Sequence, residues 1–394
     1  MLLEVLQKLD SNGLLRRLPP EVEIPGPRIA RNGTSLVCLA SNNYLGLASH
    51  PEVIEASCQA TRRSGCSATG SRLLSGNLEL HGELEARLAK FKGAESGLLL
   101  NSGYSANLAV LGALARPGDR IVSDKLNHAS LHDGAKASGA ECRIYRHGDL
   151  GRTRDLLAST PAGVRKFLVS DGVFSMDGDV APLPELVQIA RETGAVLILD
   201  EAHATGVLGH HGKGSFEHFG LPCDARALGL AALVVVGTFG KALGGFGAYA
   251  LTDPETREIL INRARPFVFS TALPPSVLGA ALGALDVLER EPSRVEDLRN
   301  KSRFFREKLN QAGFQVPLDP TPIIPIIVGE AERAVQFAKG LLEEGVQVFA
   351  VRPPSVPPGT SRIRATLMAT HEHSDLVRCV EAFEKVGKAC GVIR

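Results

Sequence analysis

The stretch Thr238-Phe239-Gly240-Lys241-Ala242-Leu243-Gly244-Gly245 runs from an apolar segment into a glycine-rich turn with one lysine at its head. Such a lysine is an exposed side chain on a loop, the lysine of a nucleotide-binding loop, or an amine that forms a Schiff base with a carbonyl. A nucleotide loop needs a hydroxyl residue directly after the lysine, and Ala242 stands there. The other Gly-Lys pairs, at Lys213 and Lys388, are followed by Gly214 and Ala389. A Schiff-base lysine must lose its proton readily, which burial and nearby positive charge bring about. The glycines would let the backbone approach a flat cofactor ring, and the Thr238 hydroxyl suits a phosphate.

Asp200-Glu201-Ala202-His203 closes the most apolar segment of the chain. The same four letters occur in helicases beside a nucleotide loop, which is missing here. Asp200 follows residues 196–199, so its carboxylate sits at the carboxyl edge of a covered sheet, where α/β folds bind ligands. A buried carboxylate needs a cationic partner or local donors. A protonated pyridine nitrogen would supply the charge and make the ring an electron sink. His203, three residues on, is in reach of a phenolic oxygen on that ring.

Three more segments offer polar groups at the ends of strands. Asn127-His128-Ala129-Ser130 follows a strand at 120–123 and opens a helix; His128 either caps that helix or lays its ring on a pyridine face. Asn101-Ser102-Gly103-Tyr104 joins a strand at 97–100 to a helix from Ser105, either as a plain turn or as an anion site. Residues 170–179, from Ser170 to Asp179, form another glycine-bearing strand end. Their convergence on one sheet edge is more specific than any single motif.

The elements that must position these groups alternate. Strands are expected at 97–100, 120–123, 166–170, 195–200, 233–238 and 247–251, with helices at 78–92, 105–115 and 184–192 among them. Short apolar runs between helical patterns indicate a mainly parallel sheet with helices on both faces. After about residue 275 come helices at 275–289 and 294–312, a strand at 323–328, a helix at 331–344, strands at 346–351 and 362–367, and a closing helix at 374–390. The expected division is an N-terminal helix and arm (1–45), a large domain (46–275) and a smaller C-terminal α/β domain (276–394). Prolines 353, 354, 357 and 358 exclude helix and central strand from that stretch.

The 394 residues carry 44% hydrophobic and 22% charged side chains, a net charge of +1 and no Trp. That balance argues against nucleic-acid and anionic-membrane partners. No run approaches the roughly 18 apolar residues of a membrane span. Residues 1–10 form an amphipathic helix, with Leu2, Leu3, Leu6 and Leu9 on one side, rather than a secretory signal. Seven scattered cysteines without a C-x-x-C pair point to a reducing cytoplasm, with neither a disulfide frame nor a metal site.

With these residues in view, the sequence resembles the α-oxoamine synthases, fold-type-I pyridoxal-phosphate acyltransferases, over nearly its whole length. The likeness is carried by Ser41-Asn42-Asn43-Tyr44-Leu45-Gly46-Leu47, Gly172-Val173-Phe174-Ser175-Met176-Asp177-Gly178, Asp200-Glu201-Ala202-His203 and Thr238-Phe239-Gly240-Lys241. The stretches 262–275, 321–325 and 352–360 are most similar to the branch that condenses L-alanine with a pimeloyl thioester in biotin synthesis. The tail at 386–393 is instead similar to the glycine-using, acetyl-transferring branch. Asp171, Ala204, Phe246 and the His210-His211 pair depart from the usual pattern.

The resemblance implies a homodimer with active sites at its interface and pyridoxal 5'-phosphate as cofactor. It implies Lys241 as the Schiff-base lysine, Asp200 as the pyridine-nitrogen partner, His203 at the phenolic oxygen, His128 on the ring face and Ser175 beside it. Gly103, Tyr104 and Thr238 would hold phosphate, joined by Ser270 or Thr271 of the other subunit. Asn42 and Arg364 would receive the amino-acid carboxylate. Arg16 (or Arg17), Ser355 and His128 would meet the acyl substrate.

Overall fold

The apolar runs of the middle of the chain become one seven-stranded sheet. The computed structural model describes residues 2–11, 15, 26–31 and 33–394. After β1 (Arg28–Arg31) and β2 (Thr34–Cys38) come β3 (Ser96–Leu100), β4 (Arg120–Asp124), β5 (Glu141–Tyr145), β6 (Lys166–Asp171), β7 (Val196–Asp200), β8 (Leu233–Thr238) and β9 (Ala248–Thr252). The spatial order is β3-β9-β8-β7-β6-β4-β5. The pairings from β8 to β5 are parallel, and β9 is antiparallel to both neighbours.

β7 shows why these segments are strands. Leu197, Ile198 and Leu199 are all fully buried. Leu197 and Leu199 join one core cluster with Leu186 and Ile189 of the helix Leu183–Thr193. Ile198 joins another on the opposite face with Val110 and Leu111 of the helix Gly103–Leu114. Side chains alternate at a period of two, so apolar residues at every position mean helices on both faces. The six expected strands and the flanking helices are present. The edge strand β5 was not expected: it carries Glu141 and Arg143, and only Tyr145 is buried, so no apolar run marks it.

Beyond the helices Pro275–Arg290 and Ser293–Gln311, β10 (Ile323–Gly329), β13 (Ser361–Thr366) and β12 (Phe349–Val351) form an antiparallel sheet in that order. The single strand expected at 346–351 is divided. β11 (Val346–Gln347) pairs parallel with β2, whereas β12 pairs with β13, and the buried Val348 lies at the change of partner. His371 ties the same region together, taking the Met368 N–H on Nδ1 at 2.9 Å and donating from Nε2 to the Cys38 carbonyl at 3.1 Å. The N-terminal helix Leu2–Ser11 forms as expected, with Leu3 and Leu6 exposed. Among the described residues no helix is long and apolar enough to cross a membrane.

One buried ion pair braces the turn after β7. Lys92, which ends the helix Glu79–Lys92, places Nζ 2.6 Å from Glu201 Oε2 and 3.0 Å from Thr205 Oγ1. Both charged side chains are 0% exposed, and Glu201 Oε1 accepts the Ser215 N–H at 2.9 Å. Gly214, at φ +100°, makes room: a Cβ there would lie 1.9 Å from Glu201 Oε2. Removing one partner leaves the other charge buried and unpaired. Lys92→Met is therefore expected to lower the unfolding free energy by about 3–5 kcal/mol, measured by equilibrium urea unfolding. The double variant Lys92→Met/Glu201→Leu should recover most of that loss; a single variant as stable as the parent would contradict the bracing role.

Candidate active site

The carboxyl ends of β4, β6, β7 and β8 open on a cavity of about 190 Å³ lined by Gly103, His128, Asp171, Asp200, His203, Thr238 and Lys241, among others. Lys241 stands three residues beyond β8 on a turn closed by two bonds, Gly244 N–H to the Lys241 carbonyl and Gly245 N–H to the Phe239 carbonyl. One of the glycines serves the turn itself. Gly244, at φ +64°, packs on backbone, where a Cβ would meet Ala48 N at 2.2 Å, so it seats the loop against the protein rather than against a ligand. Burial pulls the Lys241 amine down to about 8, Arg364 adds to the fall, and the charges of Asp200 and Asp171 oppose it. Such an amine is partly neutral near neutrality and able to attack a carbonyl.

Asp200 ends β7 and is 6% exposed. Its Oδ1 accepts the Ala202 N–H at 2.8 Å and its Oδ2 accepts Asn107 Nδ2–H at 2.6 Å. His203 is also buried, with Nδ1 2.6 Å from the Tyr44 hydroxyl. Burial, then the charges of Lys241 and Arg364, hold its imidazole well below the ordinary range, so it is neutral.

His128 opens the helix Ala129–Ser138 and leaves its ring accessible from the cavity, so capping and a place in the site coexist. Its Nδ1 lies 2.7 Å from Ser130 Oγ, and its backbone N–H donates to Asp171 Oδ2 at 2.9 Å. Protein packed against the ring lowers its pKa, with Asp200 pulling the other way. Asp171 is buried beside Asp200, and burial followed by that neighbouring charge raises its carboxyl well above the usual range. At the opposite wall, Gly103 and Tyr104 begin the helix Gly103–Leu114, whose first N–H groups have no intrahelical acceptor. Ser102 Oγ caps it by accepting the Ser105 N–H at 3.1 Å. Thr238 Oγ1 donates to the Gly247 carbonyl at 2.8 Å and accepts the Gly240 N–H at 3.1 Å.

A neutralisable lysine, a carboxylate fixed by two donors and a helix N-terminus around one cavity make a site for an anionic aldehyde bearing a basic ring. Residues 34–383 match the family of class I and II aminotransferases. The chain belongs to that family. The 8-amino-7-oxononanoate synthase of Geobacter sulfurreducens is 48% identical over 98% of both chains. The protein of that name from Geobacter metallireducens is 46% identical over 99% of this chain and 98% of its own. Among solved structures, the serine palmitoyltransferase of Sphingomonas wittichii superposes with a TM-score of 0.91 at 34% identity, covering 100% of this chain and 98% of its own. The 8-amino-7-oxononanoate synthase of Francisella tularensis gives 0.76 at 30% identity, covering 90% and 98%. Within the aminotransferase family these relatives place the chain among the α-oxoamine synthases, with the fold-type-I architecture expected from the sequence.

Other aminotransferase-family positions singled out in the sequence fall in three places. Arg364, on β13, donates to the Ser175 carbonyl at 2.6 Å, to Thr366 Oγ1 at 2.9 Å and to Asn42 Oδ1 at 3.2 Å from both Nη atoms. All these acceptors are neutral; Arg362, two residues earlier, is instead paired with Asp177. Ser355 is exposed on the rim of a cavity of about 450 Å³ that also includes Lys125, His132, Phe174 and Arg362. Ser270 and Thr271 do not line the Lys241 cavity: Ser270 borders a small cleft with Arg72 and Phe267, and the Thr271 carbonyl accepts Asn101 Nδ2–H at 2.9 Å. Arg16 and Arg17 lie outside the described residues. Sequence inspection passed over Tyr44, Asn107 and Ser130 as site residues. For Asn107 the available signal was a lone amide within the apolar helical run at 106–115.

The loop that carries Ser175 is tethered by His147. Its Nδ1 lies 3.1 Å from Asp124 Oδ2 and its Nε2 2.9 Å from Asp179 Oδ2, with the ring edge-on to Phe174 at 4.4 Å. The bonds to Asp124 and then Asp179 raise its pKa to about 10. The unfolded value is about 6.5, so the stabilisation is complete below that pH and fades as pH rises through about 10. The stability difference between the parent and His147→Gln, followed by urea unfolding from pH 6 to 10, should shrink steadily. A difference independent of pH would rule out the imidazolium.

Proposed function

We propose that the protein is a pyridoxal-phosphate-dependent acyltransferase that joins L-alanine to a pimeloyl thioester with loss of carbon dioxide, giving 8-amino-7-oxononanoate for biotin synthesis. The observation that carries this is the Lys241–Asp200 cavity in a chain 48% identical, over 98% of its length, to a protein of that name. The serine palmitoyltransferase fold, solved elsewhere with a PLP internal aldimine, matches this chain at a TM-score of 0.91. Lys241 would bind the cofactor aldehyde, Asp200 the pyridine nitrogen and His203 the phenolic oxygen, with His128 on the ring face and Ser175 beside it. Gly103, Tyr104 and Thr238 would take the phosphate, with Ser270 or Thr271 of the partner subunit in a homodimer. A cytoplasmic location fits seven cysteines that are all free.

Bound pyridoxal phosphate supplies an electron sink for a carbanion at the amino-acid Cα. The chain supplies the rest. Asp200 holds the proton at the ring nitrogen by its negative charge. Lys241 Nζ, as the free amine, would take the Cα proton of alanine, a transfer for which a pKa of about 8 is well matched. Arg364 and Asn42 would meet the alanine carboxylate, which takes the place of Asn42 Oδ1 between the two Nη donors of the guanidinium. His128 orients the thioester carbonyl, and Ser355 borders the path of the acyl chain.

The likeness to the glycine-using branch at 386–393 falls on a helix-closing turn. The Val392 and Ile393 N–H groups both return to the Gly387 carbonyl, and none of these residues lines the cavity.

Lys241→Ala should abolish turnover and the visible absorption that the parent gains with pyridoxal phosphate. Asp200→Asn should lower kcat by on the order of 10²-fold or more. Parent turnover with pimeloyl thioester and L-alanine should exceed that with acetyl thioester and glycine; the reverse order would move the protein to the other branch. Cofactor capture, followed by stopped-flow absorbance, should accelerate as pH rises through about 8. A rate that is flat across that pH would mean that Lys241 is not the titrating nucleophile.

A further inference from the structure

We infer that Asn107 is a positioning residue that couples the Asp200 carboxylate to the His128 imidazole, so that one buried amide sets both the group under the cofactor nitrogen and the group on the ring face. The inference rests on the cofactor assignment above. Asn107 lies on the helix Gly103–Leu114 and is 1% exposed. Its Nδ2 is 2.6 Å from Asp200 Oδ2 and 2.8 Å from Ser130 Oγ, which is itself fully buried.

The directions of these bonds follow from the chemistry of the partners. A carboxylate accepts, so the amide must turn its NH₂ group toward Asp200. The second hydrogen of that NH₂ then goes to Ser130 Oγ. With its oxygen accepting from Asn107, the Ser130 hydroxyl points its own hydrogen at His128 Nδ1, 2.7 Å away. The Ser130 backbone N–H also faces Nδ1, at 3.3 Å. Two donors on Nδ1 leave the imidazole proton on Nε2. The chain Asp200–Asn107–Ser130–His128 therefore fixes the orientation of the carboxylate and the tautomer of the histidine together.

The other end of the amide argues that its role is not packing. Asn107 Oδ1 is buried without a hydrogen-bonding partner among the described residues. A purely structural position would favour an apolar residue, because a buried unpaired carbonyl is destabilising. The fold keeps that penalty and gains two aligned donors.

The test uses the full chain, with and without pyridoxal phosphate. In the cofactor-free protein, ¹⁵N shifts of the His128 ring report its tautomer. The parent should show Nε2–H, and Asn107→Leu and Ser130→Ala should both move it toward a mixture. The dissociation constant for pyridoxal phosphate, read by absorbance, should rise roughly tenfold in Asn107→Leu, as for loss of a bond to a charged group, and less in Ser130→Ala. Asn107→Gln, which keeps the donors, should restore part of the affinity. An unchanged tautomer in the variants overturns the proposal, as does a changed tautomer with parental affinity. If Asn107→Leu fails to fold, the tautomer in Ser130→Ala decides. A parent that binds no pyridoxal phosphate counts against the cofactor assignment, while the tautomer measurement still judges the relay.

Discussion

The site depends on keeping a carboxylate at the buried end of a sheet strand with no cation, among the described residues, in direct contact. Asp200 follows the most apolar segment of the molecule and is held by two neutral donors, the Ala202 N–H and the Asn107 amide. The charge is felt all around it: it opposes the fall in the Lys241 and His128 pKa values and contributes to the rise at Asp171. A low-dielectric pocket makes such effects large, and the same pocket makes an unsatisfied carboxylate costly. Donors, lysine and histidines form one electrostatic unit.

The architecture supplies that unit by topology. Parallel strands end on the same side, so β4, β6, β7 and β8 each deliver a polar residue or turn to one edge. The segment beyond β7 needs separate support because it leaves the sheet and must return His203 to the cavity. The Lys92–Glu201 pair and Thr205, bonded in turn to Tyr249, provide it from below. From the far end of the chain, β13 brings Arg364 to Asn42 and Ser175.

Much of this was legible in the sequence, for reasons that also mark where it stopped. β7 and β8 announce themselves because both faces are covered and the runs 196–199 and 233–236 are apolar at every position. β5 does not, because an edge strand need not be apolar. Lys241, Asp200, His203, His128, Gly103 and Thr238 stand out by their places at strand ends, as does the segment that holds Ser175, whereas Asn42 and Arg364 came from family likeness alone. Asn107 was missed because a lone amide in an apolar helical run shows that something polar is buried but not what it meets; its meaning lies in what the fold sets opposite it. The division of residues 346–351 between two sheets is a matter of distant pairing partners, which periodicity does not report.

That division bears on the order in which the molecule matures. β2 completes its pairing only when β11 arrives more than 300 residues later, and the backbone around Leu39 and Tyr44 is bonded to Thr366 and Ala369. During ribosomal synthesis the large sheet can form while Asn42 and Tyr44 still lack their seats. Contacts of such sequence separation close late. A nascent chain cut short before residue 364 would thus hold the lysine and the carboxylate but lack the contact between Arg364 and Asn42 and the backbone bonds that seat Leu39 and Tyr44.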